Sequence, residues 1–368
     1  MNSSRDMLNL AVGPVMMDEE ILAISAQQIP YFRTAEFSAC MLENEALLKE
    51  LAGASKSSRA VFLTGSGTAA MEAAVSGLLD KHDKILLVNA GSFGQRFAEI
   101  CSFYKLKVDE LKLKPGQALT KEHLRDYNPY NYSAFLINMG ETSTGVLHDM
   151  QAVSDFCKEA SIFLIVDAIS SFLADELNME ELGIDALIIG AQKALALAPG
   201  LSALVLSEIA LERVRDIEPC SYYLNLREAL ANGQRGQTPF TPAVSTLLQL
   251  HVRLKQLIDL GGAQAEHMRI KALAQDFRNK LKAEKLPFKL FAANPSSAVT
   301  SLEVDPLINA YAIFEELKER FNIWLCPNGG ELSSKVIRVG HIGALTTKDN
   351  DRVIEALCCL RDEGKLGA

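Results

Sequence analysis

The run "DALIIGAQKALALAPGLSALVLS", residues 185–207, holds a single cation, Lys193, between its first residue and its end. A long lysine stem can carry its ammonium out of such an apolar surface to water. Held inside, an unpaired ammonium is costly and its pKa falls. A neutral lysine amine is a nucleophile for carbonyl carbon. Two further groups stand upstream. In "LTGSGTAAMEAA" an apolar run gives way to Gly65, Ser66, Gly67 and Thr68 and then to a helical pattern. Backbone amides at such a helix start, with two hydroxyls beside them, form a phosphate cradle. In "FLIVDAISS", Asp167 follows four apolar residues, at the carboxyl end of an expected strand. There it can cap the next helix or face a ring nitrogen and keep it protonated.

The same glycines fit other chemistries. Gly65, Gly67 and Ala70 match G-x-G-x-x-A, a dinucleotide fingerprint, which calls for an acidic residue at the end of the next strand. That strand, "KILLVNAG", ends in Asn89, Ala90 and Gly91, and Asp83 lies at its wrong end, which weakens the dehydrogenase reading. A serine-hydrolase elbow fails because Thr64 stands where G-x-S-x-G needs its first glycine. A lysine, a strand-end carboxylate and a phosphate cradle in one unit are together what pyridoxal 5′-phosphate requires. The lysine forms the Schiff base, the carboxylate keeps the pyridine protonated and the turn anchors the phosphate.

These groups need a scaffold that brings strand ends together. From residue 59 to 206, continuous apolar runs of strand length (60–65, 84–91, 133–140, 162–170, 185–191 and 202–207) alternate with helical patterns. Runs apolar on both faces are central strands of a mainly parallel sheet covered by helices, hence an α/β domain. Ligands of such sheets bind beyond the carboxyl ends of the strands. After "TPFTPAVS" the pattern changes to long amphipathic helices around 243–260 and up to 281. Short strand-like runs and helices at 308–320 and 347–363 follow, a smaller α+β unit. The expected organisation is an N-terminal arm (1–20), a large cofactor-binding domain (21–245) and a small C-terminal domain (246–368). The arm can pack with either unit.

The 368 residues are 48% hydrophobic and 23% charged, with a net charge of −9. That is an ordinary soluble composition, and it argues against a nucleic-acid or anionic-membrane partner. No uninterrupted apolar run approaches a membrane span, and the N-terminus lacks the shape of a signal peptide. Seven scattered cysteines read as reduced thiols of a cytoplasmic protein. The six histidines show no metal-ligand spacing, so no metal is expected.

The motifs "AVGPVMM", "FRTAEF", "LTGSGTAAMEAAV", "NAGSFGQR", "NMGETSTGVLHDM", "VDAISS", "GAQKAL", "TPFTPAVS" and "IRVGHIG" follow one another along nearly the whole chain. In this order they resemble the class V aminotransferases of fold type I. The resemblance is to the branch with alanine–glyoxylate, serine–pyruvate and 2-aminoethylphosphonate–pyruvate aminotransferases. It implies a large domain with a mainly parallel seven-stranded sheet and a smaller α+β domain. By the same resemblance Lys193 is the Schiff-base lysine, Gln192 lies near the ring's phenolate oxygen, and Ser66, Gly67 and Thr68 bind the phosphate. Phe93 stacks on the pyridine, Thr142 places a hydroxyl beside the ring, and Asp167 pairs with the pyridinium. Thr241, with Thr238, reaches the cofactor phosphate of a neighbouring subunit, which implies a homodimer with active sites at the interface. Arg338 grips the substrate carboxylate, a task suited to a planar guanidinium, and Gly13 lies in a turn near the substrate.

The implied reaction is a ping-pong transfer of an amino group from a small amino acid, of alanine or serine type, to glyoxylate or pyruvate. The alternatives are a 2-aminoethylphosphonate donor, for which Arg338 also serves, and a cysteine desulfurase using Cys326. A regulator of this fold would carry an added DNA-binding segment, for which the length leaves no room. Two departures from the family pattern, Phe32 before Arg33 and Ile342 between His341 and Gly343, bear on the substrate rather than on the cofactor.

Overall fold

The computed structural model describes residues 7–367. Its centre is a seven-stranded sheet in the order Arg59–Thr64, Leu201–Leu206, Ala186–Gly190, Phe163–Asp167, Ala134–Asn138, Lys84–Asn89 and Lys107–Lys112. Leu201–Leu206 runs antiparallel to both of its neighbours. The remaining pairs are parallel. Six of these strands are the apolar runs. The seventh, "KVDELK", holds only two apolar residues among four charged ones and lies at the sheet edge, where exposed charge discourages pairing with another chain.

Helices cover both faces, and each face has its own apolar core. Gly67–Leu78 packs on the strands Ala186–Gly190 and Leu201–Leu206 through Ala70, Met71, Ala74 and Leu78. Its small residues let the helix approach the sheet closely. Met150–Glu159 begins at Asp149, whose carboxylate accepts the Ala152 amide. Val244–Asp259 packs against the helices Ala35–Leu51 and Glu19–Ser25.

A second sheet is antiparallel throughout, in the order Lys289–Leu290, Val299–Glu303, Val336–Gly340 and Cys326–Pro327. It has a separate core under the helices Gly262–Ala283, Ala310–Phe321 and Thr347–Asp362.

The N-terminal segment touches both units. Leu8–Asn9 pairs in parallel with Ile323–Trp324, and the Gly340 amide donates to the Leu10 carbonyl at 2.7 Å. Two residues on, the segment reaches Lys193 of the large unit. Residues 1–6 of the expected arm lie outside the described residues. Among the described residues no helix is long and apolar enough to cross a membrane, and no cluster of His, Cys, Asp or Glu is arranged to hold a metal.

Candidate active site

The carboxyl ends of the central strands gather the polar residues. Parallel register sets Asn138 beside Asp167. Asn138 Nδ2 donates to Asp167 Oδ2, and the Ile169 amide donates to Oδ1 at 2.8 Å. Burial pushes the Asp167 carboxyl up to about 6; the Ile169 amide and Asn138 pull it back, the nearby Glu141 charge raises it, and Lys193 lowers it. An aspartate so placed keeps its charge at neutral pH and gains from any cation set beside it.

Lys193 follows the strand Ala186–Gly190, past Gln192. Its Nζ donates to the carbonyl of Val12. Desolvation pulls the amine down to about 8, with opposing effects from Cys326 and Asp167, which raise it, and from Arg338 and Arg96, which lower it further. Gly13 makes this approach possible: a Cβ there would lie 2.6 Å from Lys193 Cδ and 2.9 Å from the Gln192 carbonyl oxygen.

Arg338 enters from the second sheet. Nη1 donates to the Thr142 carbonyl at 3.0 Å and Nη2 to the Pro327 carbonyl at 2.8 Å. Cys326 lies opposite Arg338 in the ladder, with Sγ turned toward the Pro327 carbonyl. A backbone ladder holds this thiol, not a free loop.

The expected phosphate cradle is the start of the helix Gly67–Leu78. Ser66 is the N-cap of Gly67–Leu78, yet its side chain makes no capping bond. Arg96 Nη1 donates to Thr68 Oγ1 at 3.2 Å, and its guanidinium lies 5.0 Å from the centre of the Phe93 ring. No carboxylate among the described residues forms an ion pair with Arg96. An uncapped helix start, two hydroxyls and an unneutralised guanidinium are a donor set for a dianion. Two buried atoms without partners, Gln192 Oε1 and Arg338 Nε, add polar capacity to the same region. The residues present therefore fit pyridoxal phosphate.

The structure brings together Gly13, Gln192, Lys193, Asp167, Thr142 and Arg338, and it joins Phe93 to Thr68 through Arg96. It does not bring in Thr238 and Thr241. The Thr238 hydroxyl donates to the Phe240 carbonyl of its own segment at 2.7 Å, and Thr241 is exposed. Beside them, Phe240 stacks on Tyr223 at 5.1 Å, and Tyr222 is 86% exposed. Of the two departures, Ile342 is fully buried in the large core. Phe32 packs against that core beneath the Arg33 guanidinium, and Arg33 donates to the Thr238 and Pro239 carbonyls.

Three residues escaped the reading of the sequence. Asn138, Glu141 and Arg96 all sit inside quoted motifs, but no role was drawn for them. For Asn138 a signal existed, since it is the polar end of an apolar strand, as Asp167 is. For Glu141 and Arg96 no local pattern tells which side chain turns inward.

The chain belongs to the class-V aminotransferases: the family model "Aminotransferase class-V" matches residues 26–342. It is similar to an uncharacterised aminotransferase of Helicobacter pylori, with 30% identity over 356 residues, covering 95% of this chain and 93% of the relative. It is similar to alanine–glyoxylate aminotransferase of Callithrix jacchus, with 31% identity over 307 residues, covering 80% and 73%. Among solved structures, an aspartate aminotransferase of Thermus thermophilus superposes with a TM-score of 0.89 at 26% identity, covering 97% of this chain and 99% of the other. The fold is fold type I, the chain is an aminotransferase, and its cofactor is pyridoxal phosphate.

Proposed function

We propose that the protein transfers the amino group of a small amino acid, of alanine or serine type, to glyoxylate or pyruvate by a ping-pong cycle. It acts as a cytoplasmic homodimer. The observation that carries the reading is the pairing of Lys193, an amine brought to about 8 by desolvation, with Arg338, a guanidinium held by two backbone carbonyls. The first is suited to hold and move a proton, the second to bind the carboxylate of the substrate.

Ser66, Gly67, Thr68 and Arg96 would hold the cofactor phosphate. Phe93 would cover one face of the ring, Asp167 would face its nitrogen, Gln192 would lie near its phenolate oxygen, and Thr142 would place a hydroxyl beside the ring. When bound, pyridoxal phosphate supplies an aldehyde for the amine and a protonated ring that draws electrons from the bond broken at the substrate Cα. Lys193 Nζ, as the neutral amine, would take the proton from the substrate Cα and hand it, on the same face, to the carbon that enters as the cofactor aldehyde. Asp167 keeps the ring cationic, and Arg338 fixes the substrate carboxylate so that Cα stands within reach of Nζ. The oxo acid formed leaves before the second oxo acid enters the same site, which Arg338 serves in both halves.

Thr241 and Thr238 would complete the phosphate site of a partner subunit; the exposed Thr241 and the aromatic surface of Tyr222, Tyr223 and Phe240 beside it support an interface there. Sedimentation of the purified protein as a dimer, and weaker cofactor binding in Thr241→Val, are the expected results.

Similarity to an alanine–glyoxylate aminotransferase supports the donor class. The same Arg338 keeps a second donor, 2-aminoethylphosphonate, as the alternative reading. The position of Cys326 in a ladder opposite Arg338 weighs against a mobile desulfurase thiol. The visible spectrum is measured before and after adding L-alanine, L-serine or 2-aminoethylphosphonate separately. Loss of the yellow band with alanine or serine supports the reading, and loss with 2-aminoethylphosphonate alone moves it to the phosphonate donor. A band that none of them bleaches, with sulfide released from L-cysteine, overturns transamination.

A further inference from the structure

The helix Ser92–Phe103 begins at Gly91, which has no side chain to cap it. The cap comes from Glu141, far along the chain and 1% exposed. Its Oε2 accepts the amides of both Phe93 and Gly94 at 3.1 Å. Its Oε1 accepts the amide and the hydroxyl of Ser143, and the Ser143 hydroxyl oxygen in turn accepts the Ser92 amide at 3.3 Å. No lysine, arginine or histidine among the described residues forms an ion pair with Glu141. A buried carboxylate is costly unless its oxygens are filled. Here the positive end of the helix and four N–H and O–H donors fill them.

The fit leaves no slack. A Cβ at Gly91 would lie 2.7 Å from Glu141 Cδ and 2.6 Å from Ser143 Oγ. A serine or aspartate cap at that position, the usual local solution, is thus excluded by the remote one. The turn that Glu141 holds is the one that carries Phe93 and leads, three residues after Phe93, to Arg96. Arg96 reaches Thr68 in the phosphate cradle. On the other side of Glu141, the carbonyl of Thr142 receives Arg338.

We propose that Glu141 is a positioning residue of the cofactor site: its carboxylate locks the first turn of Ser92–Phe103 and thereby sets where the Phe93 ring and the Arg96 guanidinium stand against the bound cofactor. This rests on the reading above that Phe93 and Arg96 face pyridoxal phosphate. Glu141, its oxygens filled by the helix amides and Ser143, acts through the two residues it places, and its charge bears in addition on Asp167.

The test compares the wild-type holoenzyme with Glu141→Ala, Glu141→Gln and Ser143→Ala. Each is stripped of cofactor and titrated with pyridoxal phosphate, with the visible absorbance and visible circular dichroism of the bound cofactor as readouts. Glu141→Ala is expected to raise the cofactor Kd by about tenfold or more, the scale of losing charge-assisted hydrogen bonds, and to weaken the visible dichroic band. Glu141→Gln keeps one acceptor oxygen for the helix and recovers part of both. In a Phe93→Leu background the effect of Glu141→Ala shrinks, because the two changes act through one element. If Glu141→Ala lowers thermal stability but leaves Kd and the dichroic band unchanged, the carboxylate is only a helix cap and the proposal is overturned. Should the alanine variant fail to fold, unchanged Kd and dichroism in both Glu141→Gln and Ser143→Ala overturn it equally. If Phe93→Leu and Arg96→Gln bind the cofactor as the wild type does, the underlying reading itself is overturned, a result distinct from a null effect at Glu141.

Discussion

The Lys193 ammonium is aimed at the backbone carbonyl of Val12, and the next residue, Gly13, lies against the lysine stem. The N-terminal segment is therefore a wall of the site and not a tail. Gly13 has φ +117°, a conformation that side chains resist. Gly13→Ala is expected to cost about 1–3 kcal/mol for the backbone and to push Lys193 out of place. Thermal denaturation of the apo protein and the rate of cofactor capture read both effects. A variant that binds cofactor at the wild-type rate would show that the segment can withdraw from the lysine.

The folded-state pKa of Lys193 is lowered from 10.5 to about 8. The neutral, reactive amine therefore gains population as pH rises through about 8, and the ammonium dominates below it. Capture of pyridoxal phosphate by the apo protein is expected to speed up almost tenfold per pH unit below that value and to level off above it. Stopped-flow absorbance across the range measures it. Lys193→Arg, always charged, should form no Schiff-base band at any pH.

Asp167 has the opposite linkage. Its folded pKa is raised from 3.8 to about 6, so between those values the native state holds a proton that the unfolded chain has lost. Stability of the apo protein falls as pH rises through this window, by about 3 kcal/mol in all. Asp167→Asn removes the slope and leaves the apo protein more stable than wild type at pH 7, while transamination drops by about 100-fold or more. Chemical denaturation at several pH values, set beside steady-state rates, separates the two.

Arg338→Lys retains the charge and loses the planar fork that spans the Thr142 and Pro327 carbonyls. For a carboxylate donor, kcat/KM is expected to fall by about 10–100-fold, mostly through KM, with cofactor affinity unchanged. Equal loss of cofactor binding would assign Arg338 to the holding of the site and not to the substrate.

The residues read from sequence differ in how they were legible. Lys193, Asp167 and the Ser66–Thr68 turn announce themselves because each breaks a local pattern: a cation in an apolar run, an acid at a strand end, hydroxyls at a helix start. The strand Lys107–Lys112 was missed by its apolarity because an edge strand needs no continuous apolar run. Thr238 and Thr241 remain apart from the site within one chain. Arg96 was within a recognised motif, yet only the packing of Ser92–Phe103 against the cradle turns it toward Thr68.

Sequence alone determined the alternation of strands and helices, the candidate lysine, carboxylate and phosphate turn, and the family, because these depend on periodicity and on contacts between near neighbours. Tertiary structure decided what surrounds them. It brought the Val12 carbonyl to Lys193, seated Arg338 of a second sheet on the Thr142 carbonyl, and filled the start of Ser92–Phe103 with the Glu141 carboxylate. Each of these joins segments distant in the chain through register and close packing. No local rule states which donor will meet which acceptor until the sheets and helices have closed around them.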